Sequence, residues 1–447
     1  MNSAEAPRLL RALGPWAAMS LVIGVMVGSA IFIVPASMAR EVGSERAALS
    51  VWIVAGVLSL FGALSFAELG AMLPDAGGQY VYLREAYGPL PGFLCGWVFF
   101  LVAQSGAIAA LAAGLARYLA EFLPLAAWEQ KVAAAGVIIL LTVINYRGAR
   151  DGGWVQSVVT GMSIGLIVAL IFLGFSLVKP VTQSAPAAPI HGVTLASFGV
   201  AMVAALWAYE GWNTVTFAAG EIRRPERNLP LALIGGTMIV IALYIGLNLV
   251  YYRALGPVQV MHSPRVAASA AETFLGPLGA HWVSLAIIIA IFGSLNGSIL
   301  GCARVYYAMA EDGLFFRSCA RVHPRFRTPH VALIAQAVWS GALALVGGYS
   351  ELFTYVIFMG WIFYALTAFA VIVLRWKMPN RSRPYRVWAY PIVPIAFVIT
   401  ATWFVINTLV QEPVESGWGA ALTALGVPVY FFWKRTAAKA ARRAPAS

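Results

Sequence analysis

The sequence predicts an all-α polytopic membrane protein of twelve spans, built as two inverted five-helix repeats followed by two further helices. Three observations carry this. Hydrophobic residues make up 61% of the 447-residue chain and charged residues 11%, with a mean hydropathy of +0.80, far from the balance of soluble domains. The apolar residues gather into about a dozen stretches of roughly 17–25 residues, the length that crosses a bilayer's hydrocarbon core. Two stretches, one opening each half of the chain, are interrupted in their middles. Paired interruptions of this kind point to the midplane site of a secondary transporter.

In order, the spans are 16–38, 47–73, 89–119, 131–146, 153–178, 195–219, 229–255, 281–309, 331–347, 351–376, 389–410 and 417–433. The first is broken at Gly28-Ser29-Ala30, with Pro35 beyond, and the sixth at Tyr209-Glu210-Gly211-Trp212-Asn213. Gln104 and Ser105 interrupt the third, and Gly293-Ser294-Leu295-Asn296-Gly297-Ser298 is a polar, small-residue run inside the eighth. Between the second and third spans, a turn at 74–80 leads into 81–87, an amphipathic stretch expected along the cytoplasmic face. Pro225 and Pro230 punctuate the end of the sixth span and the start of the seventh. Residues 180–194, rich in Pro, Ala and Ser, read as an external loop.

Loop charge sets the orientation. Alternate loops and the two tails carry 22 of the 30 basic residues, including Arg223, Arg224, Arg317, Arg321 and Arg375. The positive-inside rule places both termini in the cytoplasm and requires an even number of spans. Arg117 and Arg304 fall near span ends. The net charge of +12 is thereby explained as membrane topology, with no nucleic-acid partner. Five being odd, the sets 16–178 and 195–376 enter from opposite sides, each opened by an interrupted span; 389–433 adds two helices between a tail at 1–15 and a basic tail at 434–447. The first apolar run is a full span, so no cleavable leader is expected.

The breaks carry the chemistry. A half-helix beginning after Gly28 and Ser29 exposes backbone N–H groups and a partial positive charge suited to a carboxylate. The half-helix before each break ends in free carbonyls suited to an ammonium group, so the pair matches a zwitterion. Close helix packing at Gly28 is the competing reading. Glu210 is a carboxylate near mid-span with no lysine or arginine elsewhere in its span; it binds a basic side chain, carries a proton, or holds the unwound backbone. Trp207 and Tyr209 gate the pocket or pack the interior. Gln104 and the run 293–298 line a pathway, hold a cation through hydroxyl oxygens, or allow close packing. Cys95, Cys302 and Cys319 are too scattered for a disulfide framework or zinc site and are assigned to packing. No Walker loop, dinucleotide fingerprint, metal-ligand spacing or nucleophile elbow is present, so the chain reads as no enzyme, with no cofactor and with gradients as its energy source.

These residues resemble the amino acid–polyamine–organocation superfamily, and within it the L-type amino acid transporter branch, over about residues 14–380. The likeness rests on Gly28-Ser29-Ala30-Ile31-Phe32, Ala67-Glu68-Leu69-Gly70 with Pro74 and Gly77-Gly78, Trp207 to Asn213, Glu221 to Leu231, and Gly293 to Ser298 with Arg304 and Gly313. The resemblance implies a LeuT-like fold, alternating access and sodium-independent exchange of neutral amino acids across the plasma membrane. It implies that Gly28, Ser29 and Ala30, with Ile31 beside them, bind the carboxylate. Trp207, Ala208 and Tyr209 then receive the amino group or close the site, and Met26, Ala107 and Glu210 shape the side-chain pocket.

Three departures stand out. Glu210 stands where relatives vary between small and acidic residues, so it does not settle specificity. Ala30 replaces a glycine where backbone must approach the ligand, which favours a smaller substrate or an altered pose. Ser163 stands where relatives carry a lysine that substitutes for sodium, and 153–178 holds no Lys or Arg. With Ser294 and Asn296 it forms the candidate coupling-ion site, served by Na+, H+ or water. Residues 120–130 lack the cysteine that binds an accessory glycoprotein in animal relatives, so no disulfide-linked subunit is expected. The alternatives are a proton- or sodium-coupled symporter, a carrier of cationic amino acids or polyamines, and, in another class, a ligand-binding membrane sensor.

Overall fold

The computed structural model describes residues 7–178, 193–263, 265–346 and 349–443, and nearly all of them are helical. The loop expected at 180–194 falls outside the described residues up to residue 192. The first span is two helices, α1 (Pro15–Met26) and α2 (Ala30–Val42), bent by 43° across the break. Then come α3 (Glu45–Met72), the short α4 (Gln79–Tyr87), α5 (Pro89–Val98) and α6 (Gln104–Leu119), α7 (Ala127–Tyr146) and α8 (Ala149–Leu177). A π-helical turn, Phe99–Ala103, joins α5 to α6 within one long rod. The second half opens with α9 (Leu195–Ala208) and α10 (Thr214–Phe217), the latter a single turn running into a 3-10 turn at Ala219–Glu221. It continues with α11 (Pro225–His262), α12 (Val266–Leu275), α13 (Gly279–Glu311), α14 (His330–Val346), α15 (Tyr349–Lys377), α16 (Ile392–Gln411) and α17 (Pro413–Arg443).

Among the described residues, eight helices are long and apolar enough to cross a membrane, or nine with the bent pair, while Leu195–Ala208 and His330–Val346 are apolar but shorter. The chain is thus a polytopic membrane protein. Burial separates inner from outer helices: the most apolar window of Val266–Glu311 is 78% buried, against 22% for α7 and α8. Trp154, Ile139 and Phe172 accordingly face outward, where lipid tails solvate them as well as a protein core would. The inner packing sets α11 against α3 and α1, α13 against α6 and α8, and α2 against α9. Where the chain leaves α10, Leu13 pairs with Ile222 as a lone parallel bridge, its N–H donating to the Glu221 carbonyl at 2.9 Å.

The 81–87 stretch is helical within α4, which buries Tyr80, Val81, Tyr82, Leu83 and Ala86 and leaves Arg84 and Glu85 to reach Asp312 and each other. Two expectations change, at Pro230 and at Cys302. Pro230 does not end a helix but lies inside α11, whose N-terminus is set by Pro225 and whose run is kinked at Gly256. The boundary is set by Pro225 because an N1 proline loses no helical hydrogen bond. Arg304, toward the C-terminal end of α13, is fully buried, and its Nε donates to Glu221 at 2.6 Å, both side chains at 0% exposure. An unpaired charge at that depth would be prohibitive, so the pair is built across two elements. The three cysteines are free and buried, but Cys302 does more than pack.

A second buried carboxylate anchors the α15–α16 connector. Glu68, on α3, accepts Arg375 Nε at 2.9 Å and Nη2 at 2.7 Å, and its Oε2 also accepts the Val387 N–H at 2.6 Å. This bidentate fork gives the pairing both strength and direction.

Candidate substrate site

A cavity of about 380 Å³ lies between the two broken helices. Its walls come from six places: the break after α1, the end of α9 with the segment to Thr214, the π-helical turn Phe99–Ala103, and one stripe each of α6, α13 and α15. Gln104, Ala107, Ala110, Leu111 and Gly114 repeat at helical spacing on α6, as do Ile291, Ser294 and Ser298 on α13. The cavity therefore runs from the breaks toward the end of α6 and the start of α13.

Each break is made by its local sequence and held by distant side chains. Val27 N–H donates to the Ile23 carbonyl at 2.8 Å and ends α1; Gly28 N–H turns back to Met26 at 2.9 Å. Helix α2 restarts at Ala30 with Ser29 as its cap residue, and no side chain caps that N-terminus. The orphan amides of a first helical turn thus stand beside the cavity that Gly28, Ser29 and Ala30 line. In the second break, Gly211 has φ +110°, and a Cβ there would stand 2.6 Å from Val25 Cγ1. Only glycine satisfies both the backbone and the neighbour.

The carbonyl ends are not bare, contrary to expectation. Tyr244 Oη, from α11, donates to Met26 O at 2.8 Å and Ala208 O at 3.1 Å, touching both breaks at once. Ser294 Oγ donates to Val25 O at 2.9 Å. The reason is general: a carbonyl released from a helix and kept from water requires a donor. Each oxygen keeps a second lone pair, so an ammonium group is still acceptable there.

Glu210 is only partly buried and turns into the cavity wall. Its Oε1 accepts Tyr364 Oη from α15 at 3.0 Å; the same hydroxyl lies 3.4 Å from Asn213 Oδ1, and Asn213 Nδ2 donates to Gln79 at 3.3 Å. Among the described residues, the wall contains no arginine, lysine or histidine.

Nine of the sequence-predicted residues line the cavity together with Ser294: Met26, Gly28, Ser29, Ala30, Gln104, Ala107, Trp207, Ala208 and Glu210. Four others lie outside its wall. Ile31 is fully buried. The Tyr209 ring packs on Trp52 and Tyr244, at centroid distances of 5.7 and 5.0 Å. Ser163 Oγ donates within its own helix to Val159 at 3.0 Å. Asn296 faces the opposite way, bonding Asn145 at 2.9 Å, Gln156 at 2.8 Å and the Gly152 carbonyl at 3.1 Å. Ser294, Asn296 and Ser163 thus point to three different sets of partners. Ser298, from the polar run in the eighth span, also lines the cavity, whereas sequence reasoning missed Tyr244, Tyr364 and Phe99. Tyr364 carries a signal only in retrospect, a phenol in an apolar span one helical turn from Gly360.

A lipid-facing bundle that encloses a solvent-sized cavity between two unwound helices, with amides on one side and carbonyls on the other, is a membrane transport protein rather than an enzyme. Residues 13–431 match the amino acid permease family, and the chain belongs to it. It is 35% identical over 432 residues to the serine/threonine exchanger of Bacillus subtilis (strain 168), covering 96% of this chain and 98% of that one. It is 30% identical to the human cystine/glutamate transporter, over 93% of this chain and 83% of the relative. It is also 30% identical to the human b(0,+)-type amino acid transporter 1, over 91% and 84%.

Proposed function

We propose that this chain exchanges neutral amino acids across the plasma membrane by alternating access, using the cavity between the two breaks. One observation carries the reading: orphan amides at the start of α2 and carbonyls at the ends of α1 and α9 border one cavity, a fit for the two poles of a zwitterion. Gly28, Ser29 and Ala30 take the carboxylate; Trp207 and Ala208 take the ammonium through their carbonyls; Met26, Ala107 and Glu210 border the side chain. The architecture is read as a LeuT-like five-plus-five repeat of twelve spans with both termini cytoplasmic. The cavity wall extends along α6 as far as Gly114 and along α13 as far as Ile291. The exchanger name of the Bacillus subtilis relative supports exchange over net uptake.

The test is counter-flow in proteoliposomes, with preloaded and empty vesicles compared in sodium and choline buffers across pH. Exchange predicts uptake that depends on internal amino acid. Equal uptake into empty vesicles driven by a sodium or proton gradient overturns it in favour of symport. A second reading, carriage of cationic amino acids, is favoured by Glu210 facing a wall without a basic residue; lysine competing better than serine in the same assay would establish it.

A further inference from the structure

One wall of the cavity carries a hydrogen-bond donor held in place from behind. Helix α6 enters the cavity through the π-helical turn Phe99–Ala103, whose carbonyls are capped by other helices: Phe99 O accepts Tyr306 Oη at 3.3 Å and Leu101 O accepts Trp339 Nε1 at 2.8 Å. Such a turn shifts the register of the helix beyond it and is frequent at functional sites. Gln104 is the first residue after it, on the cavity face. Its Oε1 accepts the Cys302 thiol from α13 at 3.2 Å, and Cys302 is fully buried. The carbonyl oxygen is held by the thiol on a side chain that lines the cavity, so the amide nitrogen is the donor left for a ligand. Among the described residues no acceptor is bonded to it. Around it the wall is Phe99, Ala103 and Ala107, which offer no polar atom of their own side chains.

We infer that Gln104, positioned by Cys302, selects substrates whose side chain ends in a small uncharged hydrogen-bond acceptor, a hydroxyl or carboxamide, over apolar isosteres. This rests on the exchange reading and gives it a substrate class. The amide nitrogen only donates, so the substrate group must accept. A carboxylate would also accept, but it meets Glu210 across a cavity with no cation to offset the like charge. A site that presents a donor discriminates against the analogue lacking the acceptor, because the donor is then stripped of water without replacement. Threonine and valine, nearly identical in shape, isolate that effect, as do serine and alanine.

The experiment measures half-maximal competition by threonine and valine against alanine counter-flow in proteoliposomes of the full chain. A parallel series measures stabilisation of the detergent-solubilised protein against heat by each amino acid. We expect threonine to outcompete valine by about 3–10-fold, the worth of one such hydrogen bond. Gln104→Leu brings the ratio to about one. Cys302→Val, which leaves the cavity wall itself intact, lowers the ratio, and Cys302→Ser restores it by returning a donor to the same oxygen; a merely structural cysteine would not move selectivity. Equal competition in the unmodified protein, or a ratio that survives both Gln104→Leu and Cys302→Val, overturns the proposal. Absence of counter-flow with threonine still stabilising better than valine overturns the exchange reading and leaves the selectivity standing, so the two failures are distinguishable.

Discussion

The two breaks occupy corresponding places yet are built from different material. The first is short and neutral: three residues between α1 and α2, with two full helical arms, an open surround at Gly28 and only backbone and a serine facing the cavity. The second is longer, holds Glu210 and Asn213, turns through the positive φ of Gly211, and is followed by one helical turn. A Cβ at Gly28 would meet nothing nearer than Ser294 Oγ at 3.9 Å, whereas one at Gly211 would strike Val25 at 2.6 Å. The lesson is that a glycine within an unwound span serves either the ligand or the fold, and the space around it tells which.

Four substitutions test that contrast. The largest effect belongs to Gly211→Ala, which combines the clash with a backbone strain on the order of 1–3 kcal/mol; folded yield and melting temperature should fall sharply. A variant that melts normally breaks the contrast. Next is Tyr244→Phe, which strips a donor from Met26 O and Ala208 O together. Two carbonyls left short of a partner cost about 1–3 kcal/mol, and both melting temperature and exchange rate should drop, the latter about tenfold. Gly28→Ala should leave melting unchanged within about 0.5 kcal/mol, as for a substitution into open space, while weakening substrate competition several-fold. Loss of folding instead would move Gly28 to the structural class. The smallest effect is that of Glu210→Gln, which keeps an acceptor for Tyr364. Exchange of neutral amino acids should change less than about threefold, while glutamate becomes a better competitor and lysine a poorer one. An unchanged ratio between those two would remove Glu210 from side-chain discrimination.

Much of this was legible in the residues alone, and the remainder was hidden for a physical reason. Breaks announce themselves because Gly28-Ser29 and Glu210-Gly211 are costly inside an apolar run. The α6 stripe was half visible through Gln104. Tyr244 and Tyr364 were not, because a tyrosine within an apolar span looks like interior packing until its partner is known, and Met26 and Glu210 are separated from them by 218 and 154 residues. The ion pair of Arg304 was hidden for the same reason, since its carboxylate, Glu221, is 83 residues distant. Charge patterning gives the outline of a membrane protein; pairings across helices decide which polar groups are solvated by the fold itself.

The Tyr244 hydroxyl ties the two broken spans together. It owns one proton and is within reach of two oxygens, on separate half-helices. One proton cannot serve both at full strength, so a bond gained at Met26 is a bond lost at Ala208, and a shift of either arm is felt by the other through a single side chain. Because the phenol stands behind the cavity wall rather than in it, removing it cuts that link while leaving the wall as it is.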